Sequence, residues 1–207
     1  MSKLDLFYQI SYESFATKMT ERQAKLVFPD SRIFKSLENL FVDKLGPHPS
    51  LSKETAFRFY TLFDQAMQNS NADYMMVLEP DVFISKKPSS YPKEAGGITW
   101  NYYPDEIKQK IQTLWGIQCP DVYSMAGGSV ISVKSWNDKA FELTQEDINE
   151  IIDIWEEAKA GDTLLSMILL KFNISIEEWD EVYESGLNKN METASIFHGI
   201  KNWYNYE

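Results

Sequence analysis

Residues 74–84 read YMMVLEPDVFI, and this stretch decides the fold. Tyr74 to Leu78 has no polar interruption, as expected of a strand covered on both faces. It runs straight into two carboxylates separated by one proline. In an extended chain alternate side chains share a face, so Glu79 and Asp81 project together from the strand's carboxyl end. Ligands of open α/β sheets bind beyond the carboxyl ends of the strands, where this pair lies. Two carboxylates so close repel unless a proton or cation sits between them, and a divalent cation that prefers oxygen ligands is the natural solution. A strand ending in an ordinary polar turn is the other reading, because Pro-Asp is common turn chemistry.

Working outward, Lys53 to Asn69 follows Ser52, a good N-cap, and places Ala56, Phe59, Tyr60, Phe63, Ala66 and Met67 at helical spacing. Leu4 to Ile10 is short and apolar enough for a buried first strand, and Lys25 to Phe28 reads as a second, stopped by Pro29 and Asp30. Strand, helix, strand in this order predicts an α/β fold with a mostly parallel central sheet flanked by helices. Downstream, Gly97 to Trp100 and Ser129 to Val133 are two further strands, introduced by Gly96 with Gly97 and by Gly127 with Gly128. Such glycine pairs mark close backbone approach. Thr144 and Asp147 form a capping box for a helix reaching Gly161, with Ile148, Ile151, Ile152 and Trp155 along one stripe. A helix from Thr163 to Phe172 follows, and Ser175 with Glu178 reads as another capping box.

The chain has 207 residues, enough for one α/β domain spanning residues 1–207, either alone or within a longer protein. Its net charge of −11 repels phosphate backbones and argues against nucleic-acid binding. A phosphate ligand would need a bound metal ion or a few well-placed basic side chains. Cys119 is the only cysteine, which favours a reducing, cytoplasmic compartment over secretion. Met1 to Phe7 lacks the features of a secretory signal, and no apolar run is long enough to span a membrane. His48, in the Pro-rich turn from Gly46 to Pro49, reads as exposed loop.

Near the C-terminus the segment Phe197 to Tyr204, FHGIKNWY, joins a histidine to a glycine and a lysine. His198 with carboxylates suits Mn²⁺ or a similar ion, Gly199 permits close approach, and Lys201 offers a point charge for phosphate. An isolated structural histidine is the alternative.

With Glu79-Pro80-Asp81 at the end of a central strand and His198 and Lys201 near the C-terminus, the whole chain resembles the GT-A class of glycosyltransferases. Within that class it looks like the compact glycosyltransferase domain of a larger algal-virus protein. The class hallmark is an acid-x-acid motif, usually Asp-x-Asp, so Glu79 departs from it, and three roles are open to it: binding the metal directly, binding it through water, or holding the donor ribose. The resemblance implies a metal site of Glu79, Asp81 and His198 for Mn²⁺ or Mg²⁺. It also implies that Lys201 and Arg58 touch the donor diphosphate, and that Gly127 and Gly128 border the donor sugar. Ile10, Tyr12, Asp30 and Arg32 would then hold the nucleoside, and Asp162 would be the catalytic base of an inverting enzyme. An N-cap role for Asp162 and a simple tight turn at Gly127 and Gly128 are the competing readings. The implied activity is metal-dependent transfer from a nucleotide-sugar, a UDP-sugar such as UDP-glucose or UDP-rhamnose, to a glycan or glycoprotein hydroxyl. The alternatives are a sugar-phosphate nucleotidyltransferase, whose Gly-rich basic loop after the first strand is missing from Ser11 to Lys18, and a nucleotide-sugar-binding module without turnover.

Overall fold

The computed structural model describes residues 2–9, 15–36, 53–120, 122–124, 127–158, 164–184 and 191–199. Its centre is a six-stranded sheet. The strands are β1 (Leu4–Gln9), β2 (Ile33–Ser36), β3 (Tyr74–Leu78), β5 (Ala95–Gly97), β8 (Val130–Ser132) and β9 (Ile176–Glu178), in the order β2-β1-β3-β8-β5-β9. β1 is parallel to β2 and β3, β8 is antiparallel to β3 and β5, and β9 is parallel to β5. Only β8 therefore opposes the common direction, and the expected mostly parallel α/β sheet is present.

Side-chain alternation divides the core between the two faces of this sheet. Phe7, Met75, Val77 and Ile131 join one cluster, under helices α2 (Lys53–Asn69), α4 (Val133–Lys139), α5 (Gln145–Ala158) and α6 (Leu164–Lys171). Phe7 meets Phe63 edge to face at 4.9 Å, and Phe63 meets Trp136 at 5.1 Å. Leu6, Tyr8, Met76, Leu78 and Val130 join the other cluster, under α1 (Phe15–Val27) and a small sheet. That small sheet contains β4 (Phe83–Ile84), β10 (Val182–Glu184) and β11 (Ile196–His198). A third sheet pairs β6 (Thr99–Tyr102) with β7 (Val122–Ser124), and α3 (Asp105–Trp115) lies between them in sequence.

α2 and β3 fall where the periodicity placed them. Thr144 and Asp147 form the expected reciprocal box, with Thr144 Oγ1 donating to Asp147 Oδ2 at 2.8 Å and the Asp147 amide donating back at 3.2 Å. Three expectations are corrected. Lys25 to Phe28 is no strand: it is the last turn of α1 and its exit, and the second strand starts at Ile33. Ser175 caps no helix. Its amide and hydroxyl both donate to Glu94 Oε2, at 2.8 and 2.7 Å, and the chain enters β9. Gly96 and Gly97 lie inside β5 instead of introducing a strand, because Pro92 and Trp179 pack where a Gly96 side chain would be.

Candidate metal and donor site

The site stands at the carboxyl end of β3. Leaving Leu78, the chain turns through Glu79-Pro80-Asp81, closed by the Val82 amide donating to Glu79 O at 3.1 Å. α1 fixes this turn from outside: Thr20 Oγ1 donates to Pro80 O at 3.0 Å, and the Ile84 amide donates to Gln23 Oε1 at 3.1 Å. Thr17, Thr20, Gln23 and Ala24 are the buried side chains of α1. Their small and polar character lets the helix approach the turn and bond to it.

The histidine arrives by strand pairing. β4 and β11 are antiparallel, with Ile196 opposite Ile84 and Phe197 opposite Phe83, which carries His198 past Val82 towards Asp81. Ile196 is fully buried, and alternation puts His198 on the same inward side. Its Nε2 lies 3.2 Å from Glu79 Oε2 and 3.5 Å from Asp81 Oδ1. One ligand atom from each of the three residues lies within 4.8 Å of the others. The side chains of His198, Glu79 and Asp81 retain 13%, 26% and 32% of their accessible surface, so the cluster is sheltered without being fully buried.

Gly127 and Gly128 make this convergence possible. A methyl group on Gly127 would stand 2.7 Å from Val82 Cγ2, 3.0 Å from His198 Cδ2 and 3.1 Å from Glu79 Cβ. Gly128 has φ +89°, a conformation suited to glycine, and its amide donates to Val77 O at 2.7 Å. The expected close backbone approach is therefore observed at both glycines.

Burial pushes the Tyr8 phenol up to about 12, and the charges of Glu21 and Asp81 push the same way. Tyr8 thus stays protonated, with its hydroxyl donating to Thr17 O at 3.3 Å. Two carboxylates and one imidazole form a mixed O,O,N donor set suited to a divalent cation. The residues present fit such an ion.

Other candidates fall elsewhere. Arg58 is exposed on α2, whose N-terminal half lies towards the carboxyl end of β3, since the helix returns through residues 70–73 to that strand's start. Asp30 and Arg32 precede β2, at the opposite end of the sheet from Glu79. Arg32 Nε and its amide donate to Asp5, at 3.2 and 2.8 Å. The structure does not bring these two residues to the site. Ile10, Tyr12, Asp162 and Lys201 lie outside the described residues, as does His48.

A support that sequence reasoning missed is Glu181, only 4% exposed. Its Oε1 accepts from the Ser89 amide at 2.6 Å and the Ser90 amide at 3.2 Å, and Ser195 Oγ donates to Oε2. Ser195 in turn accepts from the Ser85 amide at 2.8 Å, which locks β4 beside β11 and so sets His198. These partners are distant in sequence, so no local signal marks them.

No protein-family model and no curated protein sequence matches the chain. Solved structures do. A glycosyltransferase involved in the glycosylation of the major capsid of PBCV-1 aligns at TM-score 0.50 and 11% identity, over 95% of this chain and 93% of that one. An active-site mutant of LgtC aligns at TM-score 0.52 and 13% identity, over 94% of this chain and 86% of that one. At such identities the likeness concerns the fold, which is that of the GT-A-like glycosyltransferases.

Proposed function

We propose that this chain is a metal-dependent glycosyltransferase acting as one domain over residues 1–207. It takes a sugar from a nucleoside-diphosphate donor, a UDP-sugar in our reading, and passes it to a glycan hydroxyl with inversion. The observation that carries the reading is the convergence of Glu79, Asp81 and His198 beside Gly127, at the carboxyl ends of parallel strands. The GT-A-like fold supports it.

Asp81, Glu79 and His198 would hold Mn²⁺ or Mg²⁺. Bound there, the ion would neutralise diphosphate charge and so make the nucleoside diphosphate a better leaving group. Around it, Lys201 and Arg58 offset the remaining negative charge, and Gly127 and Gly128 leave room for the donor against the backbone. Ile10 and Tyr12 follow β1 and supply contacts to the nucleoside. Asp162 takes the proton of the acceptor hydroxyl while that oxygen bonds to the anomeric carbon. The bond from that carbon to the diphosphate oxygen breaks, and the nucleoside diphosphate departs with the electron pair.

Calorimetric titration of UDP and UDP-sugars with Mn²⁺ and with chelator tests the site. Wild-type protein should bind only with metal, and Asp81→Ala should weaken binding by about tenfold or more. Equal binding by both proteins, or none by wild type with metal, overturns the reading. Asp162→Asn should still bind the donor yet lose transfer, and full retained activity would remove Asp162 from its assigned role.

A further inference from the structure

A cavity of about 660 Å³ lies on the α2–α4 side of the sheet and shares no lining residue with the Glu79–Asp81–His198 cluster. α4 follows Ser132, whose register partner is Tyr74, and the last turns of α2 lead to the same end of β3. From there to Glu79 is about 16 Å along the strand. The cavity residues Tyr60, Trp136 and Leu143 belong to the core on one face of the sheet, whereas Val82 and Ile196, beside the Glu79–Asp81–His198 cluster, belong to the core on the other face.

The chemistry of the cavity is specific. Gln65, Gln68 and Asn137 bring exposed planar amides to its rim. Asp64 is oriented from both sides: its Oδ1 accepts from the Trp136 indole N–H at 2.9 Å, and its Oδ2 accepts from Gln68 Nε2 at 2.6 Å. A carboxylate oxygen can accept more than one hydrogen bond, so each can also take a hydroxyl proton. Phe141 is 50% exposed, yet it is not a loose surface aromatic. Its ring packs edge to face on Phe172 at 5.0 Å, and its carbonyl accepts from Tyr60 OH at 3.2 Å. The Leu143 amide donates to the same Tyr60 oxygen at 3.0 Å, so the segment carrying Phe141 is pinned on both sides.

The lining contains Asp64 and Glu142 and neither lysine nor arginine, in a chain of net charge −11. Anionic ligands such as nucleotides or phosphorylated groups are disfavoured by that field. Wholly apolar ligands would cover the exposed amides of Gln65 and Asn137 without bonding to them. A pyranose satisfies both demands, since it offers a C–H face for an aromatic ring and hydroxyls around its edge for amides and carboxylates. We propose that this cavity is a binding site for a neutral glycan chain, separate from the metal cluster and independent of the activity assigned to it.

The test uses the whole chain, ¹⁵N-labelled and in chelator. Neutral gluco-, xylo-, manno- and galacto-tetraoses are titrated while the Trp136 indole N–H resonance is followed, identified with Trp136→Phe. At least one sugar should shift that resonance saturably. Phe141→Ala and, separately, the surface variant Gln65→Ala should each weaken its binding, Phe141→Ala by about tenfold. Asp81→Ala should leave binding unchanged. The proposal is overturned if no tetraose shifts the resonance, if Asp81→Ala removes binding, or if both rim variants bind like wild type. A shift produced by acidic or peptide ligands alone would overturn it too.

Discussion

The two ends of the β1–β3 pair both carry carboxylates, and they are arranged in opposite ways. At the amino end Asp5 is 5% exposed and faces donors: Arg32 contributes its amide at 2.8 Å and its guanidinium at 3.2 Å, and Ser70 Oγ donates at 2.8 Å. At the carboxyl end Glu79 and Asp81 converge on one imidazole, within the reach of a single ion. At one end the fold sets a guanidinium beside the acid, while at the other it groups two acids around a histidine. A buried acid says little by itself; the donors around it decide whether it serves stability or binding.

The largest expected effect separates these roles. Asp5→Ala leaves the Ser70 hydroxyl and the Arg32 amide without their acceptor, and should cost about 3 kcal/mol in urea unfolding. Metal-dependent UDP binding by the folded variant should stay at the wild-type level. If binding fell as far as stability, the two ends would not be independent. Gly127→Ala probes the other end: its methyl must displace Val82, His198 or Glu79, at an overpacking cost of about 1–3 kcal/mol. Mn²⁺ affinity, read by calorimetry, should fall about tenfold or more, because His198 and Glu79 of the proposed metal site stand 3.0 and 3.1 Å from the added methyl. Unchanged affinity would show that the close approach at Gly127 does not set the cluster.

The same contrast explains what could be read from the sequence. β3, α2 and the Thr144–Asp147 box were legible because periodicity and capping are local. Glu79 and Asp81 were legible because an apolar strand ended on them, and His198 because it stood beside a glycine with a lysine near. α1 was not, because it buries Thr17, Thr20 and Gln23, whose spacing gives no hydrophobic stripe. The resemblance assigns Asp30 and Arg32 to the nucleoside, whereas they precede β2 and stand at the end of the sheet opposite Glu79. Ser175 looked like a helix cap, since its long-range partner Glu94 leaves no trace in neighbouring residues.

Internally matched carboxylates should also shape the acid limb of stability. Burial pushes the Glu94 carboxyl up, but hydrogen bonds from Lys139 and Ser175 outweigh it and hold the group at about 2. Burial likewise opposes ionisation of Glu181, and the donors on Ser195, Ser89 and Ser90 lower it overall. A depressed folded-state value stabilises above the ordinary carboxylate value and is lost as pH falls through the folded one. For Glu94 that window runs from the ordinary 4.5 down to about 2. Urea midpoints measured across it should decline, and Glu94→Gln should flatten the decline. An unaltered slope would mean that Glu94 gains nothing from its donors.

The smallest effect concerns how the turn is held. Thr20→Val is nearly isosteric and removes only the hydroxyl that donates to Pro80 O. Thr20 is fully buried, so the carbonyl loses that partner, and the loss should be about 1 kcal/mol. Its value lies in where the loss appears. If α1 only covers the sheet, stability falls and Mn²⁺ affinity does not. If α1 sets the angle at which Asp81 leaves the strand, affinity falls as well, by a few-fold and without any change in a ligand. The Gln23 contact to the Ile84 amide favours the second outcome, because α1 then grips the turn on both sides of Asp81. Calorimetry of Mn²⁺ on Thr20→Val, beside Gln23→Ala, decides between the two.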